Sequence, residues 1–158
     1  MPRPNRDRTG RGGFTLVELG IVVLIIGIMV AAAAPRFADS LVYYRAEAAA
    51  KRIEADLKLA RKQAITSSST QAVDFVTGSN RYILTGMEHH DHPSLEYQVL
   101  LSEAPYHASL ESADFGGTSN VAFDGYGVPG SGGTVIVQSG QYQKTITLNA
   151  DTGKPTVE

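Results

Sequence analysis

The sequence predicts an α+β fold: a long N-terminal helix, membrane-spanning in its first half, packed through its second half on an antiparallel β-sheet head. Three observations predict it. Phe14–Ala34 is a run of 21 residues carrying one charge, Glu18. After Pro35 the apolar residues recur every three or four positions as far as Thr66, the spacing of one helix face. Beyond Thr70 the pattern changes to short alternating runs separated by turn residues, which is strand grammar.

At about 1.5 Å per residue, a helix of Phe14–Ala34 is long enough to cross a bilayer core. Arg3, Arg6, Arg8 and Arg11 precede it with only Asp7 opposing them, a local charge of +3 within a chain whose total is −2. Positive charge before a span keeps that end cytoplasmic and sends the remainder across. Without residues 1–13 the chain is acidic, at −5, which argues against bulk binding to nucleic acid. There are no cysteines, so disulfides, thiolate metal sites and thiol nucleophiles are excluded.

In the second half of the helix Val42, Ala46, Ala49, Ile53, Leu57, Ala60 and Ala64 form one apolar stripe. Glu47 with Lys51 and Glu54 with Lys58 are i,i+4 pairs in the favourable order, and the charges from Arg45 to Lys62 read as a solvated face. Thr66-Ser67-Ser68-Ser69-Thr70, a cluster of poor helix formers, ends the helix. Strands are expected at Gln71–Thr77, Arg81–Thr85, Leu95–Leu101, Asn120–Phe123, Gly133–Gln138, Gln143–Leu148 and, at the end, Pro155–Val157. Gly78-Ser79-Asn80 and Ser139-Gly140-Gln141-Tyr142 sit between strand pairs as hairpin turns, so pairing is antiparallel. Gly86–Pro93 has the least pattern and reads as a loop.

The apolar run admits three readings. A cleaved secretory signal would use Ala31–Ala34 as its cleavage site, but Pro35 directly after the cut and Glu18 inside the apolar stretch oppose that. A plain membrane anchor leaves Glu18 unexplained unless it lies at the headgroups, because a carboxylate in hydrocarbon is costly. The third reading uses Arg11-Gly12-Gly13-Phe14-Thr15-Leu16-Val17-Glu18, which closely resembles the processing site of type IV prepilins and type II secretion pseudopilins. The resemblance implies that residues 1–13 are a basic leader, removed by the prepilin peptidase between Gly13 and Phe14, and that the new Phe14 amine is methylated. The family's glutamate is the fifth residue after the cut, which is Glu18 here, and its helix-kinking proline is the twenty-second, which is Pro35. Glu18, one turn into the helix, faces the positive end of the dipole and in a filament can meet the Phe14 amine of a neighbour, setting register. Pro35 removes a backbone donor and clashes with the preceding turn, so a bend or local melting is expected there.

The remainder resembles the GspH/FimT subfamily of that family. The residues that carry this are Leu57-Lys58-Leu59-Ala60-Arg61-Lys62-Gln63-Ala64-Ile65 followed by a strand, Val121-Ala122-Phe123-Asp124-Gly125-Tyr126-Gly127 before the Thr134–Val137 strand, and the closing Asp151-Thr152-Gly153-Lys154 turn. Gly86–Gly117 carries no match, and the calcium loop of major pseudopilins is not evident. The resemblance implies a long helix with two antiparallel sheets and a minor subunit that primes or caps a short periplasmic pseudopilus. It divides the chain into leader 1–13, membrane and filament-core helix 14–35, and head 36–158, with the half-helix 36–66 and the β part 71–158.

No Gly-x-Ser-x-Gly elbow or phosphate loop occurs, and no enzyme is expected. His89-His90-Asp91-His92 is the one metal candidate, through His89, His90 and His92, against the competing reading of a solvated polar loop. Asp124-Gly125 and Asp151-x-Gly read as turn chemistry rather than calcium loops. No cofactor is expected. The expected partners are other pseudopilins or pilins, the prepilin peptidase, the inner membrane as a single pass, and a secretion or pilus assembly platform; no nucleic acid is expected, since Gln141–Glu158 is neutral. The function that follows is a minor pseudopilin of a type II secretion system with a periplasmic head. The alternative is a minor pilin of a type IV pilus, serving adhesion, motility or DNA uptake. A third possibility is an exported binding or catalytic domain on an ordinary anchor.

Overall fold

The computed structural model describes residues 13–89 and 92–158. One helix, α1 (Leu16–Ser67), is followed by eight strands: β1 (Gln71–Val76), β2 (Arg81–His89), β3 (His92–Leu100), β4 (Ser109–Asp114), β5 (Asn120–Phe123), β6 (Gly133–Ser139), β7 (Tyr142–Leu148) and β8 (Pro155–Val157). The chain divides into two compact units, Met1–Ala38 and Asp39–Glu158.

In the first unit the described residues are the apolar start of α1, whose large side chains from Leu16 to Val30 are all exposed. Helix continues through Pro35.

In the second unit, α1 lies against two four-stranded antiparallel sheets, ordered β3-β2-β1-β5 and β4-β6-β7-β8. The stripe read from the sequence is the buried one: Ala46, Ala49, Ile53, Leu57, Ala60 and Ala64 are inaccessible to solvent, together with Ala50, whereas Val42 is half-buried. Alanine dominates it because a short side chain lets a sheet approach the helix closely, so larger residues on the strands fill the space. These residues are Val73, Phe75, Tyr82, Leu84, Val121 and Phe123 from one sheet and Leu110, Val135, Val137, Ile146 and Leu148 from the other, and all belong to one core with Phe115. Phe75 stacks on Phe115 at 5.6 Å between centroids. Strict alternation of buried and partly exposed residues in β1 is what period-two patterning predicts for a sheet with one face covered.

Asn80 joins the two sheets. It adopts a left-handed conformation (φ 47°) at the β1–β2 turn, which asparagine tolerates. From there its side-chain oxygen accepts from Leu110 N–H at 2.8 Å, and its carbonyl accepts from Leu101 N–H at 2.8 Å.

The structure corrects the expected elements at two places. The Gly86–Pro93 segment is not a loop: β2 and β3 extend through most of it as a hairpin arm, with His89 opposite His92. Gly86 at φ 79° and register shifts between Leu84 and Glu88 break the alternation, which is why the pattern is missing while the strands persist. The strand Ser109–Asp114 was not expected. Its residues are mostly polar, only Leu110 is buried, and a bulge lies between Leu110 and Ser112, so its pairing with β6 defines it rather than its own sequence.

Candidate functional site

At the start of α1 the chain carries the residues that the cleavage motif singled out. Gly13 is exposed with open space around it, and Phe14 is 85% exposed. Thr15 caps the helix: its hydroxyl accepts from Glu18 N–H at 3.2 Å and its carbonyl from Leu19 N–H at 3.1 Å. Thr-x-x-Glu before an apolar run is the pattern of a helix N-terminus, and it fixes Glu18 in the first turn, where the dipole favours a carboxylate. Thus Thr15 and Glu18 are joined across the first turn, with Phe14 directly before the cap. Beyond them α1 is the one described helix long and apolar enough to cross a membrane, and its most apolar window is wholly unburied.

The head contains a polar cluster that sequence reading missed. Asp56 is 4% exposed. Its carboxylate accepts from the Tyr82 hydroxyl at 2.6 Å, from Arg52 Nε at 2.9 Å and from the Tyr97 hydroxyl at 3.2 Å. Arg52 also donates to the Tyr97 hydroxyl and lies over its ring. Burial, and then the neighbouring Asp56 carboxylate, push the Tyr82 hydroxyl far above its ordinary value, and Tyr97 moves the same way. Burial opposes the charge of Arg52, but attraction to Asp56 and Tyr97 outweighs it and raises its value. The group holds β2 and β3 to α1. The reading of the Arg45–Lys62 charges as a solvated face therefore fails at Asp56. Three residues after Ile53 and four before Ala60, Asp56 lies on the buried stripe, and that spacing was the available signal.

The other charges follow the solvated reading. Lys51 pairs with Glu47 at 2.8 Å and Lys58 with Glu54 at 2.5 Å. A cleft of about 440 Å³ is lined by Glu54, Lys58 and Arg61 of α1 and by Gly153–Thr156. Arg61 donates to the carbonyl of Gly127 at 3.0 Å. Folding thus brings Arg61 and Lys58 beside Lys154, a local excess of cations that counting residues along Gln141–Glu158 does not reveal.

His90 and Asp91 lie outside the described residues, and His89 and His92 are known only as opposed backbone positions. Among the described residues no three His, Cys, Asp or Glu side chains converge. Asp124 accepts from Tyr126 N–H and Val128 N–H, both at 2.9 Å, as a turn residue does. In the last turn that part is taken by Asn149 rather than Asp151, with its side-chain oxygen accepting from Thr152 N–H at 2.8 Å.

Comparison with known proteins adds the following. The sequence profile of the family described as Type II transport protein GspH matches residues 49–152. Over 27 residues the chain is 70% identical to the type IV narrow pilus major component PilA5 of Thermus thermophilus, a stretch that is 17% of this chain and 23% of that protein. The chain therefore spans less than a quarter of that relative's length. Among solved structures, the minor pseudopilin EpsH from the type 2 secretion system of Vibrio cholerae superposes with a TM-score of 0.53 at 17% identity, covering 72% of this chain and 96% of EpsH. The type IV minor pilin FimU of Pseudomonas aeruginosa superposes with a TM-score of 0.50 at 12% identity, covering 71% of this chain and 91% of FimU. At these identities the likeness is one of fold.

Proposed function

The chain belongs to the family of type II transport protein GspH, and from that premise we propose that it is a minor pseudopilin of a type II secretion system, built into a periplasmic pseudopilus for protein export. The family is one of structural, pilin-like subunits, and assembly with other pilins or pseudopilins is what membership implies. The observation that carries the finer reading is the union of a GspH head with a helix start where an exposed Phe14 precedes the Thr15 cap and Glu18 lies in the first turn of an apolar run. In this reading prepilin peptidase cuts between Gly13 and Phe14, the Phe14 amine is methylated, and the subunit waits in the inner membrane with its N-terminus cytoplasmic and its head periplasmic. An assembly platform then lifts it into the filament, where Glu18 sets register, Ile21–Ala34 packs in the core and Pro35 bends the helix.

A minor pilin of a type IV pilus is the second reading, favoured by the short, high-identity match to a pilus component. In-cell cross-linking from the head, with mass spectrometry of the partners and of the mature N-terminus, tests both. A methylated Phe14 and secretion-type partners are the expected result. Pilus subunits as partners would promote the second reading, and an N-terminus at Pro35 would overturn both.

A further inference from the structure

The second unit exposes several large apolar side chains, and they are unevenly distributed. Leu41, Tyr43 and Tyr44 are 44%, 39% and 66% exposed and lie within nine residues of Pro35. The others in this unit, Leu59, Ile65, Tyr126 and Val128, begin 24 residues beyond it.

The early group is tied to the sheet. Tyr43 meets Tyr44 edge-on at 5.8 Å and Tyr142 edge-on at 5.4 Å. Lys144 Nζ lies 5.6 Å from the centre of the Tyr43 ring and 3.7 Å from the Glu47 carboxylate. The β6–β7 hairpin tip is seated on the same turn of α1: a Cβ on Gly140 would come within 2.7 Å of Val42 Cγ1. Helix and hairpin therefore hold three tyrosine rings in one collar, on the part of the head nearest in the chain to the apolar run.

Eight and nine residues past Pro35 is on the order of 13 Å of helix, whatever the direction in which the head lies. Helical side chains lean toward the helix N-terminus, so the Tyr43 and Tyr44 rings reach several ångströms back from their own Cα positions. The headgroup layer outside the hydrocarbon is roughly 5–8 Å deep on each side, and tyrosine, apolar in its ring and polar at its tip, favours that layer. We propose that the Tyr43–Tyr44–Tyr142 collar is an interfacial seat, whose rings enter the phospholipid headgroup layer and hold the head on the bilayer before assembly. The proposal rests on the reading of Phe14–Ala34 as a membrane span.

The chain contains no tryptophan, so single-tryptophan variants report without background. The full chain carrying Tyr44→Trp, Val23→Trp or Tyr126→Trp is reconstituted into phosphatidylcholine vesicles, with and without bromine high on the acyl chains. Tyr44 is mostly exposed, so the exchange leaves the fold intact. The expected result is that Tyr44→Trp emits to the blue of Tyr126→Trp and loses at least half its intensity to bromolipid, while Val23→Trp is also quenched. Aqueous, unquenched emission from Tyr44→Trp beside a quenched Val23→Trp overturns the collar and leaves the span standing. Blue-shifted but unquenched emission overturns it in favour of a neighbouring subunit. If Val23→Trp is itself unquenched, the span reading falls and the collar with it.

Discussion

The Asp56 carboxylate and the Tyr82 hydroxyl are 2.6 Å apart in the interior of the head, joining the apolar stripe of α1 to the centre of a sheet otherwise packed by hydrocarbon. Replacing Asp56 by alanine leaves the Tyr82 hydroxyl without its acceptor and Arg52 without its counter-charge. Breaking a buried pair on one side costs about 3–5 kcal/mol, and Arg52, which is part-exposed, recovers some of that by hydration. The expected loss for Asp56→Ala is therefore about 2–4 kcal/mol, read as a lower midpoint in denaturant for the full chain in detergent. A midpoint equal to wild type would show the cluster to be marginal.

The same cluster makes stability depend on alkaline pH. Tyr82 and Tyr97 have folded-state values raised above the ordinary 10.0, so each contributes stability that is fully present below about pH 10. Above that the unfolded chain releases the tyrosine protons while the folded chain retains them, and stability falls as pH rises. For Tyr82, which is inaccessible to solvent, the slope approaches about 1.4 kcal/mol per pH unit. Tyr82→Phe lowers stability at neutral pH but flattens the decline from pH 10 upward. Parallel wild-type and variant curves across that range would contradict the assignment.

What the sequence discloses and what it hides follow one physical rule. The alanine stripe, the Glu47–Lys51 and Glu54–Lys58 pairs and the two short hairpins are local, and periodicity or turn chemistry reveals them. β4 obeys a pairing partner well along the chain, and both it and the Gly86–Pro93 arm carry register shifts that erase alternation. Asp56 is a charge on an apolar face, satisfied by residues 26 and 41 positions later. Arg52, four residues earlier, is a local partner, but no local pattern announces the two tyrosines, although the place of Asp56 on the stripe announces its burial. The helix start is local in the same way, since Thr15 caps the Glu18 N–H three residues on and needs nothing distant.

Gly133 tests the seam between β4 and β6. A Cβ there would lie 2.1 Å from the Asp114 carbonyl oxygen and 2.7 Å from Phe115 Cα, both backbone atoms that cannot rotate away. Gly133→Ala is expected to cost about 2 kcal/mol or more through overpacking and to weaken exchange protection along β4. Gly78→Ala, where nothing lies within 4 Å, is the control and should change stability by less than about 0.5 kcal/mol.

Glu18 is the one charge in the 21-residue apolar run, and among the described residues its carboxylate has no side-chain partner. A lone carboxylate at membrane depth costs on the order of 2.5–3.5 kcal/mol at the centre and less near the end of the span. Its persistence in the apolar run calls for a cation, and the proposed maturation creates one, the Phe14 amine of an adjacent subunit. If that pair guides assembly, Glu18→Ala removes the cost of holding a charge in the membrane and the attraction at once. Insertion and cleavage then proceed, and only recruitment is lost. A charge-assisted hydrogen bond of about 1.5–3 kcal/mol corresponds to a loss of roughly tenfold or more in incorporation. Glu18→Gln keeps the shape but loses the charge, so it should fail nearly as badly, which separates charge from packing. The measurement is the cross-linked fraction of subunit in filaments, normalised to mature protein in the membrane. Near-normal incorporation of Glu18→Ala would return Glu18 to the simpler role of a first-turn residue favoured by the helix dipole and capped by Thr15.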